Sequence, residues 1–276
     1  MPVLILGDSH PQYDLDPIIV GNAYNFSSSG ENYIQTFYKL NKILEKKNVG
    51  TIILPIDLQS FSSYRSNIPA DFYWTKYVDY IEVGRKKGDF FQYFVKYLQA
   101  KYIPYLGDGE EIVRQTYQLI FDKLERSDLM YGYIPQYSNF DEFKNKEELG
   151  TKQASFHFYK NNYFDDDLVF YFKKIIDLAA EKNINVILIK FPITKQYYLA
   201  AQEFIPIDSY YLNLGKILEG IRNIQIIDYQ KIYFDNDNYF EDTDHLNYKG
   251  AVLFSQLLRK DLLNLDKNSN LQVKYE

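Results

Sequence analysis

The chain has 276 residues, of which 46% are hydrophobic and 25% are charged, a composition typical of a globular protein with a sizeable core. Its formal net charge of -6 argues against nucleic-acid binding, which normally uses a basic surface. Cysteine is absent, which excludes disulfides, thiol nucleophiles and cysteine-based zinc sites.

No apolar stretch approaches the roughly 20 residues needed to cross a bilayer, so we expect no integral membrane segment. The N-terminus has neither a basic flank nor a small-residue cleavage site typical of a secretory signal. The sequence as given therefore predicts a cytoplasmic protein, or an envelope-associated one if an N-terminal anchor has been removed.

The first predicted elements alternate between strands and helices. Residues 3–6 form an apolar run that ends at Gly7, typical of a strand buried on both faces. Residues 18–27 predict a second strand that Gly21 and Asn22 interrupt. Apolar residues at helical spacing predict a helix over 31–47, and residues 51–56 predict a third strand. This order of strand, helix and strand favours a right-handed crossover within a parallel sheet.

The middle of the chain is more irregular. Helical patterns over 88–101 and 110–127 predict a mainly helical insertion at about 58–160. Tyrosine and phenylalanine are frequent at 66–77, and we expect this segment to form one wall of a substrate cleft.

Strands and helices alternate again after the insertion. Aspartates at 165–167 open a predicted helix that runs to about residue 182, where acidic residues complement the helix dipole. The remaining predicted elements are a strand over 185–191, a helix over 208–222, a strand over 224–229 and a helix over 248–264. Together these elements predict a single α/β domain over residues 1–276, a three-layer α/β/α sandwich with a parallel, flavodoxin-like sheet.

Two polar segments follow predicted strands, where parallel sheets gather their reactive groups. Residues 7–10 read Gly-Asp-Ser-His directly after the first strand, and residues 239–251 lie between the last strand and the last helix. A serine nucleophile needs an imidazole to take its proton and a carboxylate to orient that imidazole. Asp242 precedes His245 by three residues, so one turn of chain can bring its carboxylate onto the ring. Ser9, Asp242 and His245 are therefore the candidate catalytic residues.

These segments resemble the first and last sequence blocks of the SGNH (GDSL-type) hydrolase superfamily. The motifs that carry the resemblance are Gly-Asp-Ser at 7–9 and Asp-Thr-Asp-His at 242–245, about a dozen matched residues with their neighbours. The early GDSH and the later HLNYKGA resemble a branch of bacterial cell-envelope acyl-transfer proteins. That branch includes alginate O-acetylation proteins and the D-alanyl transfer protein of teichoic acid synthesis.

The resemblance implies that Ser9 is the nucleophile, His245 the general base and Asp242 the orienting acid. It also implies an oxyanion hole built from the backbone N–H groups of Ser9 and Gly30, with Ser29 in place of Gly30 if the register differs. A helix N-terminus follows this glycine, and its free N–H groups suit a developing negative charge.

The family's third block, Gly-x-Asn-Asp, is absent from this sequence. Residues 55–59 read Pro-Ile-Asp-Leu-Gln instead, and Gln59 is the candidate substitute for the missing side-chain amide. Loss of one oxyanion donor can lower the rate on the order of 100- to 1000-fold, so full hydrolytic competence does not follow from the resemblance. His10 and Asn247 are candidate substrate contacts, although His10 could equally cap the following loop.

Other polar residues have simpler structural explanations. Asp244 adjoins His245, but adjacent side chains point apart, so Asp242 is the preferred acid. Residues 235–244 lack the glycine and the bidentate glutamate of a calcium loop, so no metal is expected. His157 is expected to be a partly buried structural residue.

The sequence therefore predicts a serine esterase or acyltransferase without a cofactor, acting on an acylated carbohydrate or another small ester. Two alternatives stay open. One is a noncatalytic SGNH-like protein that binds a glycan or a partner in envelope polysaccharide assembly, which the missing third block favours. The other is a lipase or thioesterase of the same superfamily.

Overall fold

Five parallel strands form one sheet in the computed structural model, which describes residues 2–71, 73–102, 131–160, 162–221 and 224–267. The strands are β1 (Val3–Ile5), β2 (Ala23–Asn25), β3 (Thr51–Pro55), β4 (Asn185–Lys190) and β5 (Ile224–Asp228). They lie in the order β2-β1-β3-β4-β5, which is the flavodoxin-like order. The predicted parallel α/β fold is confirmed.

Helices cover both faces of this sheet. In chain order they are α1 (Ser9–Asp14), α2 (Pro17–Val20), α3 (Tyr33–Leu44), α4 (Tyr80–Lys87), α5 (Phe90–Tyr102), α6 (Lys146–Phe158), α7 (Asp166–Glu181), α8 (Lys195–Phe204), α9 (Ile207–Leu218) and α10 (Tyr248–Lys267). Short 3-10 turns lie at Ser63–Arg65, Trp74–Lys76, Phe140–Glu142 and Asp237–Tyr239. None of the described helices combines the length and the apolar character needed to cross a membrane.

Alternate side chains of the central strands β1, β3 and β4 enter different buried clusters, because successive residues point to opposite faces of a sheet. The cluster on the face covered by α3 and α7 includes Leu4, Ile52, Leu54, Leu188, Ile34, Phe172 and Ile175. The cluster on the face covered by α10 includes Ile5, Ile53, Ile187, Ile189, Phe254 and Leu258. Both faces of the strands are therefore apolar, which explains why the strands read as continuous hydrophobic runs.

The second strand predicted over 18–27, with its break at Gly21 and Asn22, is present only after the break. Residues Pro17–Val20 form α2, and β2 covers only Ala23–Asn25. The side chain of Asp16 accepts the Ile18 N–H at 2.9 Å, and proline at the first helical position fits the helix start. The Asp-Pro pair is thus a helix-start signal that outweighs the strand-like residues after it.

The other predicted helices and strands are present with shifted ends, except that 110–127 lies outside the described residues. The predicted insertion contains α4, α5 and α6 in its described parts. Helix α8 was not predicted; it begins after Thr194, whose hydroxyl accepts the Tyr197 N–H at 3.2 Å. The division into one domain with an insertion stays a prediction, as does the role of 66–77 as a cleft wall.

The start of α10 packs tightly against the chain that precedes it. A Cβ added at Gly250 would lie 2.1 Å from the carbonyl oxygen of Tyr239. Four residues before Gly250, Leu246 pairs with Phe240 in an antiparallel bridge. This close contact holds the segment between Phe240 and Leu246 as a compact loop at the carboxyl edge of the sheet.

We expect Gly250→Ala to lower the free energy of unfolding by about 1–3 kcal/mol, the usual cost of overpacking, because the new methyl group displaces the Tyr239 carbonyl. Urea denaturation followed by circular dichroism measures the change. Gly215→Ala is the matched control, since Gly215 is an exposed glycine inside α9 and a Cβ there meets nothing within 4 Å. The control should be at least as stable as the wild type. Equal stabilities for the two variants would contradict the tight contact.

Candidate active site

Three of the predicted site residues form one hydrogen-bonded chain. The Oγ of Ser9 lies 2.8 Å from Nε2 of His245, a residue 236 positions later in the sequence. The other ring nitrogen, Nδ1, lies 2.9 Å from Oδ2 and 3.1 Å from Oδ1 of Asp242. A carboxylate can only accept hydrogen bonds, so the Nδ1–H donates to Asp242, and Nε2 is left to face the serine hydroxyl.

A sharp turn after β1 places Ser9 at the edge of the sheet. Gly7 has a φ of +129°, and a Cβ on it would lie 2.5 Å from Cδ of Pro55, so only glycine fits this position. Asp8 then caps α1 by accepting the His10 N–H at 3.1 Å. Ser9 is the first residue of that helix, and its backbone N–H has no hydrogen-bond partner within the described chain.

A buried ion pair fixes the cap of α1. Arg65 Nη1 donates to Asp8 Oδ2 at 2.5 Å, and its Nη2 donates to the carbonyl oxygen of Glu31. Burial alone would raise the pKa of Asp8, but the adjacent Arg65 guanidinium and His10 together outweigh burial and lower that pKa below its ordinary value. Asp8 therefore stays ionised as the helix cap beside the candidate nucleophile.

The loop that carries His245 is shaped by its own aspartate. Oδ1 of Asp242 accepts the backbone N–H groups of Asp244 at 3.0 Å and of His245 at 2.9 Å. The same carboxylate therefore bends the chain and holds the imidazole. Asp242 is thus the acid that contacts His245, as the three-residue spacing predicted.

Two further contacts tie this loop to the rest of the domain. Asp14, at the end of α1, accepts the Leu246 N–H at 2.8 Å. Thr194, after β4, donates both its N–H (3.1 Å) and its hydroxyl (2.6 Å) to the carbonyl oxygen of Thr243. Ser9 and His245 are therefore positioned relative to each other through α1 and the end of β4.

The two nearby carboxylates favour the charged form of His245. Burial alone would lower the pKa of His245, but Asp242, followed by Asp244, raises it to about 9. At neutral pH the imidazole is therefore mostly protonated.

His10, one of the two predicted substrate contacts, lies inside the protein. Its side chain is 1% exposed, and Nδ1 lies 2.7 Å from Oδ2 of Asp57. Its Nε2 lies 3.5 Å from Oδ2 of Asp244. Burial by itself lowers the pKa of His10, but these two carboxylates raise it well above the ordinary value. His10 is thus a buried charged residue behind the candidate triad.

Asn247, the other predicted substrate contact, is also buried. It is 7% exposed. Its Nδ2 donates to the carbonyl oxygens of Asn238 and Phe240, both at 3.1 Å, and its Oδ1 accepts the Gly250 N–H at 3.1 Å. All of these bonds serve the start of α10.

The predicted oxyanion donors have different surroundings. Gly30 is exposed, has a φ of +75°, and makes no backbone N–H hydrogen bond within the described residues. Ser29, the alternative position, donates its N–H to Gln12 Oε1 at 2.7 Å, so that group is already engaged. The neighbouring Ser28 N–H donates to the carbonyl oxygen of Gly7 at 2.9 Å, which brings this loop beside the turn before Ser9.

Gln59 lies against His10 rather than against Ser9. Its Nε2 is 3.4 Å from each ring nitrogen of His10, and the side chain is buried. No hydrogen bond in the described chain joins it to Ser9. Backbone N–H groups are therefore the donors that this geometry offers to an oxyanion.

His157 packs inside the protein. Its ring stacks on Tyr64 with centroids 5.0 Å apart, and Nδ1 lies 2.6 Å from the hydroxyl oxygen of Tyr197. Burial lowers its pKa to about 4, so it is neutral at physiological pH.

His10, Asp244 and His245 could each offer one ligand atom to a metal ion, and these atoms lie within 4.8 Å of one another in the described chain. Both imidazoles already face carboxylates as hydrogen-bond donors. A metal at this point would therefore have to displace the protons that the two histidines donate.

Asp57, Arg65 and Asp14 also belong to the site, although no sequence motif assigned them to it. Asp57 follows β3 directly, so the strand-end rule could have found it. Arg65 and Asp14 carry no comparable signal, because one lies in an irregular segment and the other at the end of a short helix.

Comparisons with known proteins leave the family resemblance as a proposal. Neither a scan against protein-family models nor a search of the curated proteins gave a match. The function is therefore argued from the motifs and the side-chain geometry.

We expect Arg65→Met to lower the free energy of unfolding at pH 7 by about 3–5 kcal/mol, because it leaves Asp8 as an unpaired buried charge. The loss should shrink toward pH 4, since the variant's Asp8 becomes neutral on protonation whereas the wild-type Asp8 stays ionised. Urea denaturation at both pH values measures this. Lys42→Met, which breaks an exposed ion pair with Glu45, is the control and should cost at most about 1 kcal/mol. Similar losses for both variants would contradict the role of Arg65.

Proposed function

We propose that this chain is a serine esterase or acyltransferase of the SGNH type that acts through an acyl-Ser9 intermediate. The observation that carries the proposal is the hydrogen-bonded chain from Ser9 through His245 to Asp242. Its members come from opposite ends of the sequence, and they occupy the positions that the resemblance assigns to nucleophile, base and acid. An acetyl group on a carbohydrate is the proposed substrate, because the matched motifs resemble the cell-envelope acyl-transfer branch.

In the acylation step, neutral His245 accepts the proton of the Ser9 hydroxyl on Nε2 while Oγ attacks the ester carbonyl carbon. The 2.8 Å contact already aligns these two atoms. Asp242 accepts the Nδ1–H throughout and stabilises the imidazolium that forms. His245 then returns the proton to the departing alcohol, and the acyl group stays on Ser9.

The negative charge on the carbonyl oxygen needs hydrogen-bond donors. The unpaired backbone N–H of Ser9 points from the first turn of α1, and Gly30 offers a second from the adjacent loop. The buried position of Gln59 against His10 removes the side-chain amide as a third donor. We therefore expect a hole formed by backbone groups and a modest rate.

Deacylation reverses these roles. His245 takes a proton from water or from a sugar hydroxyl, and the resulting oxygen nucleophile attacks the acyl carbon of acyl-Ser9. The bond between the acyl carbon and Oγ of Ser9 then breaks, and His245 returns the proton to Oγ. Water as acceptor makes the protein an esterase, and a sugar hydroxyl makes it an acyltransferase. The site chemistry is the same for both acceptors.

The proposal predicts covalent labelling of Ser9 by a fluorophosphonate and slow hydrolysis of p-nitrophenyl acetate. Ser9→Ala should abolish both, and His245→Ala should lower both by a factor on the order of 1000 or more. Intact-protein and peptide mass spectrometry locates the label. Ser209→Ala is the matched control, because Ser209 is an exposed serine in α9, and it should behave as the wild type.

Two experimental results would contradict this proposed function and favour one of the alternatives. Absence of both labelling and hydrolysis in folded wild-type protein would favour the noncatalytic glycan- or partner-binding alternative. Faster hydrolysis of long-chain than of acetyl esters would favour the lipase or thioesterase alternative.

The rate of ester hydrolysis should depend on pH through His245. Only the neutral imidazole accepts the serine proton, and the pKa of His245 is raised to about 9. The value of kcat/KM should therefore rise about tenfold per pH unit below that pKa and level off above it. Circular dichroism over the same pH range is the control for unfolding. A profile that levels off near the ordinary histidine pKa of about 6.5 would contradict this protonation state.

A further inference from the structure

Two aspartates stand close to one nitrogen of His245. Asp242 Oδ2 lies 2.9 Å from Nδ1, whereas Asp244 Oδ1 lies 3.8 Å from the same atom. The Asp242 side chain is 48% exposed and Asp244 is 1% exposed. Charges in a buried, weakly screened environment interact more strongly than exposed ones. Within hydrogen-bond distance of Nδ1, the buried Asp244 would therefore interact with His245 more strongly than the exposed Asp242 does.

His10 lies on the other side of Asp244. Its Nε2 is 3.5 Å from Oδ2 of Asp244, and its ring meets the ring of His245 edge-on, with centroids 5.0 Å apart. The carboxylate of Asp244 is thus shared between two imidazoles. The Thr243 hydroxyl donates to its other oxygen, Oδ1, at 3.2 Å.

The ring of His10 is itself anchored. Its Nδ1 lies 2.7 Å from Oδ2 of Asp57, and Oδ1 of Asp57 accepts the Phe191 N–H at 2.7 Å. The backbone N–H of Asp57 donates to the hydroxyl of Ser60 at 2.9 Å. His10 is therefore fixed to the ends of β3 and β4, and Asp244 in turn faces a fixed cation.

We propose that His10 is a positioning residue that holds Asp244 away from Nδ1 of His245, so that Asp242 alone orients the general base. The catalytic meaning of this arrangement rests on the proposed function. The arrangement itself is a property of the folded protein and is testable without any substrate.

The charge of His10 is what distinguishes it from a packing residue. Protonated His10 attracts Asp244 and opposes a second positive charge on His245, as the influence of His10 on the pKa of His245 indicates. The titratable groups that face His10 or act on it are Asp57, Asp244, His245, Asp8, Asp14, His157 and Tyr64. A neutral glutamine at position 10 fills much of the space but leaves Asp244 without its cationic partner.

The test is an NMR titration of the His245 imidazole in four proteins: wild type, Asp242→Asn, His10→Gln and the double variant. In the wild-type background, Asp242→Asn should lower the pKa of His245 by about one pH unit or more. In the His10→Gln background the same substitution should lower it by less than half as much, because Asp244 can now approach Nδ1. Ester hydrolysis should show the same pattern, with a loss on the order of 100-fold or more in the first background and about 10-fold in the second.

His157→Gln is the matched control, since His157 is also a buried histidine with a side-chain hydrogen bond. In the His157→Gln background, Asp242→Asn should lower the pKa of His245 as much as it does in the wild-type background. An equal effect of Asp242→Asn in the wild-type and His10→Gln backgrounds would overturn the proposal. Absence of esterase activity in the wild type would count against the proposed function alone, because the titration does not depend on activity.

A second variant covers the case in which His10→Gln does not fold. In otherwise wild-type protein, Asp244→Asn should lower the pKa of His10 markedly and that of His245 by less than Asp242→Asn does. A larger decrease at His245 than at His10 would show that Asp244 serves His245, and the proposal would be wrong.

Discussion

The carboxylate of Asp57 joins three parts of the molecule. It follows β3, accepts a backbone N–H from Phe191 after β4, and binds the ring of His10 in α1. Burying an ionised carboxylate costs folding free energy unless the group is paired and hydrogen-bonded. The folded chain therefore has to bring His10 and the Phe191 N–H to Asp57. The carboxyl edge of the sheet is therefore held together by the same group that supports the candidate site.

Charged groups behind Ser9 are arranged so that each cation has a carboxylate beside it. Arg65 pairs with Asp8, His10 lies between two aspartates, and His245 contacts Asp242. Because most of these groups are buried, screening by water is weak and the pairs fix both position and protonation. Helix α1 and the loop before α10 consequently hold the serine and the imidazole as a preorganised pair, which the proposed acyl transfer would require.

Most of the fold was readable from the sequence because parallel strands and amphipathic helices leave local periodic patterns. The strands at residues 51–55 and 185–190 and the helix at 166–181 were predicted nearly to their ends. The errors also have local causes: the Asp-Pro pair at 16–17 starts a helix where strand-like residues follow, and a threonine cap starts α8 in a segment for which no helix was predicted. In a prediction from sequence, such short capping signals are easily overlooked beside the stronger hydrophobic pattern.

By itself, the sequence determined that Ser9 follows a strand end and that Asp242 stands one turn before His245, because both facts depend on neighbouring residues. The tertiary structure alone decided that these groups meet, that Asp57 and Arg65 support them, and that His10 and Asn247 are buried. His10 and Asp57 are 47 residues apart in the chain, and Asp8 and Arg65 are 57 apart. Contacts over such separations leave no periodic or spacing pattern, since they are set by how helices and strands pack and by the need of each buried charge for a partner.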